Sequence, residues 1–366
     1  MTQQFSRSRA LAASDMAPTV PPRDASQRTR HRATAPILVN GRFYRRPTTG
    51  VERVAASVWH HLEAHDDVGI VLPARRSGIR GHAWEQLVLP LRARGSVLWS
   101  PANFGPVVHP RQSLMLYDAS VWDHPEWFSP RYQAWFRSVV PIVAKAVRSV
   151  TTVSDFSKER LTAHMPFLRD KLSVVRLAAQ QLDDAADGTL PAGVEAGSFL
   201  LAVGTLEPRK NLPRLLEAWQ IARRRFPQIR LVVVGGSHSH TLRRVAANQC
   251  TDKTITVLGH LPDAQLATLY AACVGFVFPS LYEGFGLPPA EAAAYGCRML
   301  VSDIPPLREL LGEGPIYVDP NSVKDIANGL SLLLSDLSCG TVQTPPKRRW
   351  AQVADDVYAT LHGLLD

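Results

Sequence analysis

The sequence predicts an α/β protein built from two doubly wound domains, and three observations support this fold class. The chain has 366 residues, enough for about two domains of ordinary size. Short apolar runs alternate with amphipathic stretches through most of the chain, which is the pattern of parallel strands joined by helices. The alternation is interrupted at 180–198, where Asp, Gly and Pro give the composition of a linker, and we place the linker at 186–198.

The first domain is predicted at 35–185, after an arginine-rich segment at 1–34 whose lack of apolar periodicity is typical of a basic disordered arm. Six apolar runs predict its strands, and they read APILVN, DVGIVLP, SVLWS, SLMLYD, SVTTVS and LSVVRL. Amphipathic periodicity predicts its helices near 50–64, 83–94, 132–147 and 156–165.

The second domain is predicted at 199–345, where the alternation is more regular. Its six predicted strands read FLLAVGTL, IRLVVVGG, TITVLGH, VGFVFPS, RMLVSD and PIYVDP. Its predicted helices lie near 212–226, 239–248, 263–272, 288–295 and 323–334. Residues 346–366 are predicted to form a closing helix that packs on one of the two domains, since apolar residues recur there at helical spacing.

Composition excludes several classes of protein. With 45% hydrophobic and 20% charged residues, the chain resembles an ordinary globular protein rather than a disordered or fibrous one. No apolar stretch is long enough to cross a bilayer, and the N-terminus lacks the apolar segment of a secretory signal, so we expect a cytoplasmic protein. The four cysteines have neither metal-site nor disulfide-framework spacing and are predicted to be free thiols.

The positive charge lies in the first half of the chain. Residues 1–185 contain 25 Lys and Arg against 15 Asp and Glu, whereas 186–366 contain 16 against 17. This asymmetry indicates that the first half faces an anionic partner, and nucleic acid, acidic lipid or a phosphorylated acceptor would each fit.

The first motif that could carry chemistry is VGTLEPRKNL, at 203–212. It leaves a strand at Gly204, presents Arg209 and Lys210, and begins a helix with Asn211 as the expected N-cap. Arginine can bind two phosphate oxygens at once, lysine adds a point charge, and a helix N-terminus favours anions. The motif therefore indicates a diphosphate site, although two solvated loop cations would look the same.

The second motif is PSLYEGFGLPPAE, at 279–291, which is again a strand, a glycine loop and a helix. Gly284 and Gly286 would allow backbone amides to approach a ligand, while Glu283 and Glu291 would accept hydrogen bonds from sugar hydroxyls. The structural alternative is that one of these glutamates caps the helix and the other is a solvated helix residue. Doubly wound sheets bind ligands at the carboxyl ends of their strands, so both motifs are expected in a cleft between the domains.

These motifs resemble the family 4 retaining glycosyltransferases of GT-B fold. The resemblance rests on the E-x7-E spacing of Glu283 and Glu291, on GTLEPRKN, on VLGHLPDAQLATLYAACVGFVFPSLYEGFGLPPAEAAAYG and on VSDIPPLREL, and it covers 199–320. More weakly, NGRFYRRPTTGVERVA, GHAWEQLVLP, LYDASVWDHPEWFSP and TTVSDFSKERL in the first half resemble bacterial members that build O-antigens and related surface polysaccharides, of the mannosyl- or rhamnosyltransferase type.

The resemblance implies a nucleotide-sugar donor held by the second domain and a glycan or polyprenyl-diphosphate-linked acceptor held by the first. It implies that Arg209 and Lys210 bind the donor diphosphate, that Glu283 contacts the transferred sugar, and that Glu291 binds the nucleotide ribose. The remaining residues that it places at the donor are Gly204, Gly284, Phe285, Gly286, Leu287 and, from the opposite domain, Gly50. It implies retention without a protein nucleophile and no metal or other cofactor. The basic first half would then serve docking at the inner face of the plasma membrane, and no specific nucleic acid is expected as a partner.

One departure from the family pattern concerns the donor sugar. Many relatives have His-Asp where this chain has Tyr117 and Asp118, which we expect to contact the donor sugar or the acceptor. Tyrosine can donate one hydrogen bond but cannot carry a positive charge. The sugar therefore stays open.

The same residues bear on three other classes of protein. A nicotinamide-dependent oxidoreductase is disfavoured because no G-x-G-x-x-G follows a strand. A non-catalytic nucleic-acid binder would explain the charge but not the paired motifs in the near-neutral second half. A GT-B-type sugar phosphorylase or epimerase stays open. The aromatic residues between 122 and 136 are interpreted as core packing, with an acceptor- or lipid-facing surface as the alternative.

Overall fold

The computed structural model describes residues 35–45, 49–73, 78–178, 189–205, 207–236, 252–342 and 347–365. The basic arm predicted at 1–34, the helix predicted near 239–248 and the first residues of the predicted linker lie outside the described residues.

The first half of the chain forms a six-stranded parallel sheet. Its strands are β1 (Ile37–Asn40), β2 (Val68–Val71), β3 (Val97–Ser100), β4 (Gln112–Met115), β5 (Ser149–Thr152) and β6 (Leu172–Val174). The strand order is β2-β1-β3-β4-β5-β6, and every neighbouring pair is parallel. Nearly every strand residue is buried, as expected for a sheet covered by helices on both faces.

The helices of this half connect its strands. They are α1 (Gly50–Leu62), α2 (Ile79–Leu87), α3 (Leu89–Arg92), α4 (Ser120–Asp123), α5 (Pro130–Ala146) and α6 (Asp155–His164). The single helix predicted at 83–94 begins earlier and is interrupted at Val88. Pro90 explains the interruption, because it has no N–H to donate to the preceding turn.

Most of the aromatic residues between 122 and 136 pack in the core of the first domain. Phe136 is buried, and Trp122, Phe128 and Trp135 pack against the same cluster. Two of them lie outside that cluster: Trp127 stacks on His124 at 4.0 Å between ring centroids, and Tyr132 is exposed.

The second half forms another six-stranded parallel sheet. Its strands are β7 (Phe199–Val203), β8 (Arg230–Val234), β9 (Ile255–Leu258), β10 (Gly275–Phe278), β11 (Met299–Ser302) and β12 (Ile316–Val318). The order is β12-β11-β10-β7-β8-β9. All twelve predicted strands are therefore present, and the predicted α/β class is confirmed.

The helices of the second half cover both faces of its sheet. They are α7 (Leu212–Ala222), α8 (Asp263–Ala272), α9 (Leu287–Ala294), α10 (Pro305–Leu311) and α11 (Val323–Ser335). Leu200 and Leu231 pack with α7 and α11 on one face, whereas the next residues along their strands face α8 and α9 on the other. Helix α10 was not predicted, although its two prolines occupy the first turn, where no N–H is required.

The chain returns to the first domain at its end. Helix α12 (Trp350–His362) packs with Val353, Val357 and Leu361 into the core cluster that contains residues of α1. The Tyr358 hydroxyl donates to Asp67 at 3.0 Å, and Asp67 immediately precedes β2. Among the described residues, no helix is long and apolar enough to span a membrane.

Candidate active site

The carboxyl ends of the two sheets meet in a closed cleft. After β5, the Ser154 hydroxyl donates to the Gly284 carbonyl of the second domain at 2.6 Å, and Ser157 at the start of α6 donates to the same oxygen at 3.2 Å. Gly284 lies so close to the first domain that a Cβ there would come within 2.5 Å of the Tyr117 carbonyl oxygen. The loop after β10 thus contacts the first domain directly.

The Arg-Lys motif lies in the loop after β7. A short 3-10 turn, Pro208–Lys210, is followed by Asn211 in the left-handed conformation at φ 58°. Asn211 is the N-cap residue of α7, as predicted, but its side chain makes no capping hydrogen bond. Its amide instead donates to the Pro279 carbonyl at 2.9 Å and to the Pro320 carbonyl at 2.6 Å. Asn211 therefore anchors this loop to the carboxyl ends of β10 and β12.

The two predicted motifs are joined through the backbone of Arg209. Its carbonyl accepts hydrogen bonds from the Leu281 N–H at 2.7 Å and from the Ser280 hydroxyl at 2.9 Å. The glycine loop ends at Gly286, whose φ of 99° is one that side chains rarely adopt. The sequence separates these motifs by about 70 residues, and the sheet brings them together because β7 and β10 are neighbours.

A compact ionic cluster results. Glu283 is 5% exposed, and its two carboxylate oxygens are bound separately. Lys210 Nζ lies 2.6 Å from Oε1, and Arg209 Nη1 lies 3.1 Å from Oε2. The Ser280 hydroxyl oxygen lies 2.6 Å from Oε1, so its one proton is shared between Glu283 and the Arg209 carbonyl. Lys210 Nζ stands 4.8 Å from the centre of the Phe278 ring. Glu207 pairs with Arg209 on its more exposed side at 2.8 Å.

The three charges of the cluster shift one another's pKa. Burial alone would raise the pKa of Glu283, but Lys210 and Arg209 outweigh burial and hold it below its usual value. Burial likewise works against the charge of Arg209, yet the facing carboxylates raise its pKa. The pKa of Lys210 is lowered, because burial and the neighbouring Arg209 together exceed the attraction of Glu283. At neutral pH the cluster therefore holds a carboxylate, a guanidinium and the more easily deprotonated ammonium.

Glu291 lies apart from that cluster, in the second turn of α9. It is 7% exposed, and it accepts a hydrogen bond from the Tyr270 hydroxyl at 3.0 Å. Its other carboxylate oxygen lies 3.3 Å from Nη1 of Arg53, which belongs to α1 of the first domain. Burial raises the pKa of Glu291 despite the opposing charge of Arg53.

The other residues predicted at the donor lie around these two carboxylates. The Lys210 side chain passes over Gly204, where a Cβ would lie 3.4 Å from it. Gly50 begins α1 and faces Leu287 at the start of α9, with 3.7 Å between a Cβ at Gly50 and Leu287 Cδ1. Phe285 is buried and packs, with Leu287, in the core cluster of the first domain.

Tyr117 and Asp118 follow β4 on the opposite side of the cleft. The Tyr117 hydroxyl donates to the Pro101 carbonyl at 2.9 Å inside the first domain. Asp118 accepts hydrogen bonds from the backbone and hydroxyl of Ser120, and its charge contributes to the raised pKa of Arg209. Asp118 is therefore the member of this pair that faces the ionic cluster.

A pocket opens beside Lys210 at the carboxyl ends of β7 and β10. Gly204, Thr205, Lys210, Phe278 and Pro279 are among its lining residues. Within the part of the chain that the structure describes, no three His, Cys, Asp or Glu side chains are grouped so as to hold a metal ion.

Sequence reasoning missed the groups that position Glu291. Arg53 lies in the TTGVERV segment, three residues after Gly50. A positive charge one turn after a predicted phosphate contact could have indicated that Arg53 belongs to the site. Tyr270 gave no such signal, because a tyrosine in an apolar helix is most simply a core residue.

Two doubly wound domains with an ionic cluster between the carboxyl ends of their sheets define a GT-B type protein. The sucrose-phosphate synthase from Thermosynechococcus elongatus shares this fold with a TM-score of 0.69 and 18% identity, over 90% of this chain and 98% of that one. Residues 194–349 match the family described as glycosyl transferases group 1. This part of the chain is therefore similar to the family that the resemblance implied.

The similarity to curated relatives extends into the first half of the chain. The O-antigen chain mannosyltransferase B of Escherichia coli is 30% identical over 244 residues, which span 64% of this chain and 64% of the relative. The GDP-mannose:cellobiosyl-diphosphopolyprenol alpha-mannosyltransferase of Xanthomonas oryzae pv. oryzae (strain PXO99A) is 27% identical over 288 residues, which span 72% of this chain and 71% of the relative. The chain thus spans somewhat less than two thirds of the first of these relatives.

Proposed function

We propose that this protein is a retaining glycosyltransferase that moves a sugar from a nucleotide-sugar donor to a glycan or lipid-linked acceptor. The observation that carries the proposal is the cluster of Arg209, Lys210 and Glu283 at the carboxyl edge of the second sheet. It combines two cations for a diphosphate with a carboxylate for sugar hydroxyls, within a domain of the glycosyl transferases group 1 family.

The two cations have the role of stabilising the leaving group. As the bond between the sugar and the diphosphate breaks, negative charge grows on the departing nucleotide. Arg209 and Lys210 offset that charge from fixed positions, because Asn211 and the bonds to the Arg209 carbonyl hold their loop against β10. We propose that these cations make a divalent metal unnecessary.

The carboxylates have the role of orienting the donor. Glu283 would exchange part of its bonding with Lys210 and Arg209 for hydrogen bonds from the transferred sugar, while the cations turn to the phosphates. Glu291 would accept hydrogen bonds from the nucleotide ribose, as the resemblance implies. We name no protein nucleophile, and we propose that the acceptor hydroxyl attacks on the face that the nucleotide leaves.

Mannose is the sugar that we propose, and a lipid-linked or growing surface glycan is the acceptor. Two matched relatives are named as mannosyltransferases, one acting in O-antigen chains and one on a diphosphopolyprenol-linked disaccharide. The basic first half of the chain would favour such an anionic acceptor and the inner face of the plasma membrane. Flotation with vesicles that contain or lack acidic lipid would test the membrane location.

Ligand-dependent thermal stability tests the donor site first. GDP, UDP and dTDP and their sugar conjugates are screened, because a ligand that binds only the folded protein raises its stability. We expect a shift with GDP and GDP-mannose that is lost in Arg209→Ala. No shift with any nucleotide would contradict the proposal.

The alternative activities are separated by their dependence on an acceptor. A transferase consumes donor rapidly only when a glycan acceptor is present, whereas an epimerase converts the donor alone and a phosphorylase requires inorganic phosphate. A nucleic-acid binder would show salt-sensitive DNA binding without any nucleotide effect.

A further inference from the structure

The contact between Arg53 and Glu291 joins the two domains at a buried carboxylate. Arg53 lies in the first turn of α1, and its guanidinium reaches Glu291 Oε1 at 3.3 Å and Asp263 Oδ2 at 3.3 Å. Asp263 begins α8 and is half exposed, whereas Glu291 is almost wholly buried. The buried partner gains more from the arginine, because a charge removed from water requires a compensating one.

Among the described residues, Arg53 is the cation that faces Glu291 from the opposite domain. Its other oxygen accepts the hydrogen bond from Tyr270 of α8, and Asp263 of the same helix adds a repelling negative charge. Tyr295, just beyond α9, and Tyr270 also act on Arg53 itself. Burial raises the pKa of Glu291, and Arg53 followed by Tyr270 are the groups that oppose this rise.

We infer that Arg53 is a positioning residue that completes the nucleotide site from the first domain by holding the Glu291 carboxylate charged and oriented. The inference rests on the proposed function, in which Glu291 accepts hydrogen bonds from the ribose. Arg53 and Tyr270 occupy one position on each carboxylate oxygen, and an ionised carboxylate has about four such positions. Since no other group in the described parts of the chain binds this carboxylate, two positions stay available to a vicinal diol.

This arrangement couples donor binding to the closed cleft. When the domains separate, Arg53 withdraws with α1 and the buried carboxylate loses its main opposing charge. The carboxylate then lacks the cation that orients it toward the ribose in the closed cleft. The open protein would bind the nucleotide weakly, and the closed protein would bind it well.

A second ion pair across the cleft provides a matched control. Arg176, after β6, lies 3.2 Å from Glu309 of α10, and neither residue contacts Glu291 in the described structure. Arg176→Gln therefore removes another interdomain Arg–Glu ion pair, a more exposed one, without touching the Glu291 carboxylate. If Arg53 served closure alone, the acidic limb of binding would stay in place in both variants.

The experiment measures GDP affinity by calorimetry for wild type, Arg53→Gln, Arg53→Lys and Arg176→Gln, from about pH 5 to about pH 8, which brackets a carboxyl of raised pKa. We expect Arg53→Gln to weaken binding by about tenfold or more at the acidic end, since truncation of a buried charge pair is costly. The acidic limb of its binding curve should move to higher pH. Arg53→Lys should restore part of the affinity, and Arg176→Gln should leave the limb in place.

Three outcomes would count against the inference. If wild type binds GDP and Arg53→Gln shows the same acidic limb, Arg53 does not position Glu291, while the proposed donor site stands. If Arg53→Gln and Arg176→Gln weaken binding equally without moving the limb, Arg53 serves closure alone. If wild type binds no nucleotide at all, the proposed function and this inference both fail. Should Arg53→Gln not fold, Arg53→Lys carries the comparison, with a smaller shift in the same direction.

Discussion

The residues of the ionic cluster carry opposite charges and stabilise one another, so substitution of a single residue tests the whole cluster. Glu283 is satisfied only because Lys210 and Arg209 both bind it, and each cation is kept in place by the same carboxylate. A donor diphosphate and sugar would replace these internal partners with external ones of the same charge types. The cluster thus already presents the charges that its proposed ligand requires.

Replacing Glu283 tests this arrangement at one position. Glu283→Gln keeps the volume but removes the charge, so sugar hydroxyls lose their strongest acceptor and the two cations keep only Glu207 as a paired carboxylate in the described structure. We expect the transfer rate to fall by about a hundredfold or more, the range seen when a preorganised polar contact is lost. The rate is measured with GDP-mannose and a lipid-linked acceptor, and circular dichroism checks that the variant folds.

Arg308→Gln serves as the control for that experiment. Arg308 makes an exposed ion pair with Asp303 in the same domain, and such pairs contribute little to stability. Near-wild-type transfer in a folded Glu283→Gln protein would remove Glu283 from the proposed site.

The lowered pKa of Lys210 predicts how donor binding responds to alkaline pH. Lysine attracts phosphate only when protonated, and burial together with Arg209 makes Lys210 release its proton at a lower pH than an ordinary lysine. Donor affinity should therefore decline on the alkaline side before an unperturbed lysine would titrate. Arginine stays charged throughout, so Lys210→Arg should abolish this decline. Identical alkaline profiles for the two proteins would show that another group titrates.

At the scale of elements, the loop after β7 depends on a single buried side chain. Asn211 is 2% exposed, adopts a positive φ and bridges the ends of two strands. Asn211→Ala would lose both bonds and would put alanine at a positive φ that asparagine tolerates better. We expect the free energy of unfolding to fall by about 2–4 kcal/mol, measured by urea denaturation.

Asn211→Gly separates the two causes of that loss. Glycine tolerates the positive φ but supplies no amide, so its destabilisation should be smaller than that of alanine and should reflect the lost bonds. If the alanine variant is as stable as wild type, the bridge is not what holds the loop.

The elements themselves were largely predictable, and the exceptions have physical reasons. Runs such as IRLVVVGG and VGFVFPS are apolar because both faces of each sheet are covered, so all twelve strands appear in the sequence. Helix α10 was not predicted because two adjacent prolines in PPLREL are typical of a break. The helix predicted at 83–94 differs from the structure because one proline divides it. Side-chain partners such as Arg53 with Glu291 depend on how the domains meet, which local periodicity does not encode.

At the scale of the whole molecule, the closed cleft depends on contacts between the donor loop and the first domain. Ser154 and Ser157 bind the Gly284 carbonyl, and the neighbouring Tyr282 hydroxyl donates to Asp123 at 3.0 Å. Arg160 and His164 also bind Asp123, and the pKa of that carboxyl is lowered to about 2. The residues on the two sides of this interface belong to different domains. Closure therefore brings the proposed donor site of the second domain against the proposed acceptor site of the first.

Gly284 provides the sharpest test of closure. A Cβ there would lie 2.5 Å from the Tyr117 carbonyl and 3.1 Å from the Asp118 Cβ, so the loop and the first domain cannot both keep their places. We expect Gly284→Ala to hold the cleft open, with a larger radius of gyration in small-angle scattering and a transfer rate lower by about tenfold or more, because small misplacements at a reacting centre are costly. Gly259→Ala is the control, since a Cβ at Gly259 meets nothing within 4 Å. If Gly284→Ala matched this control in both size and rate, closure against the first domain would not govern transfer, and Arg53 would lose the motion that brings it to Glu291.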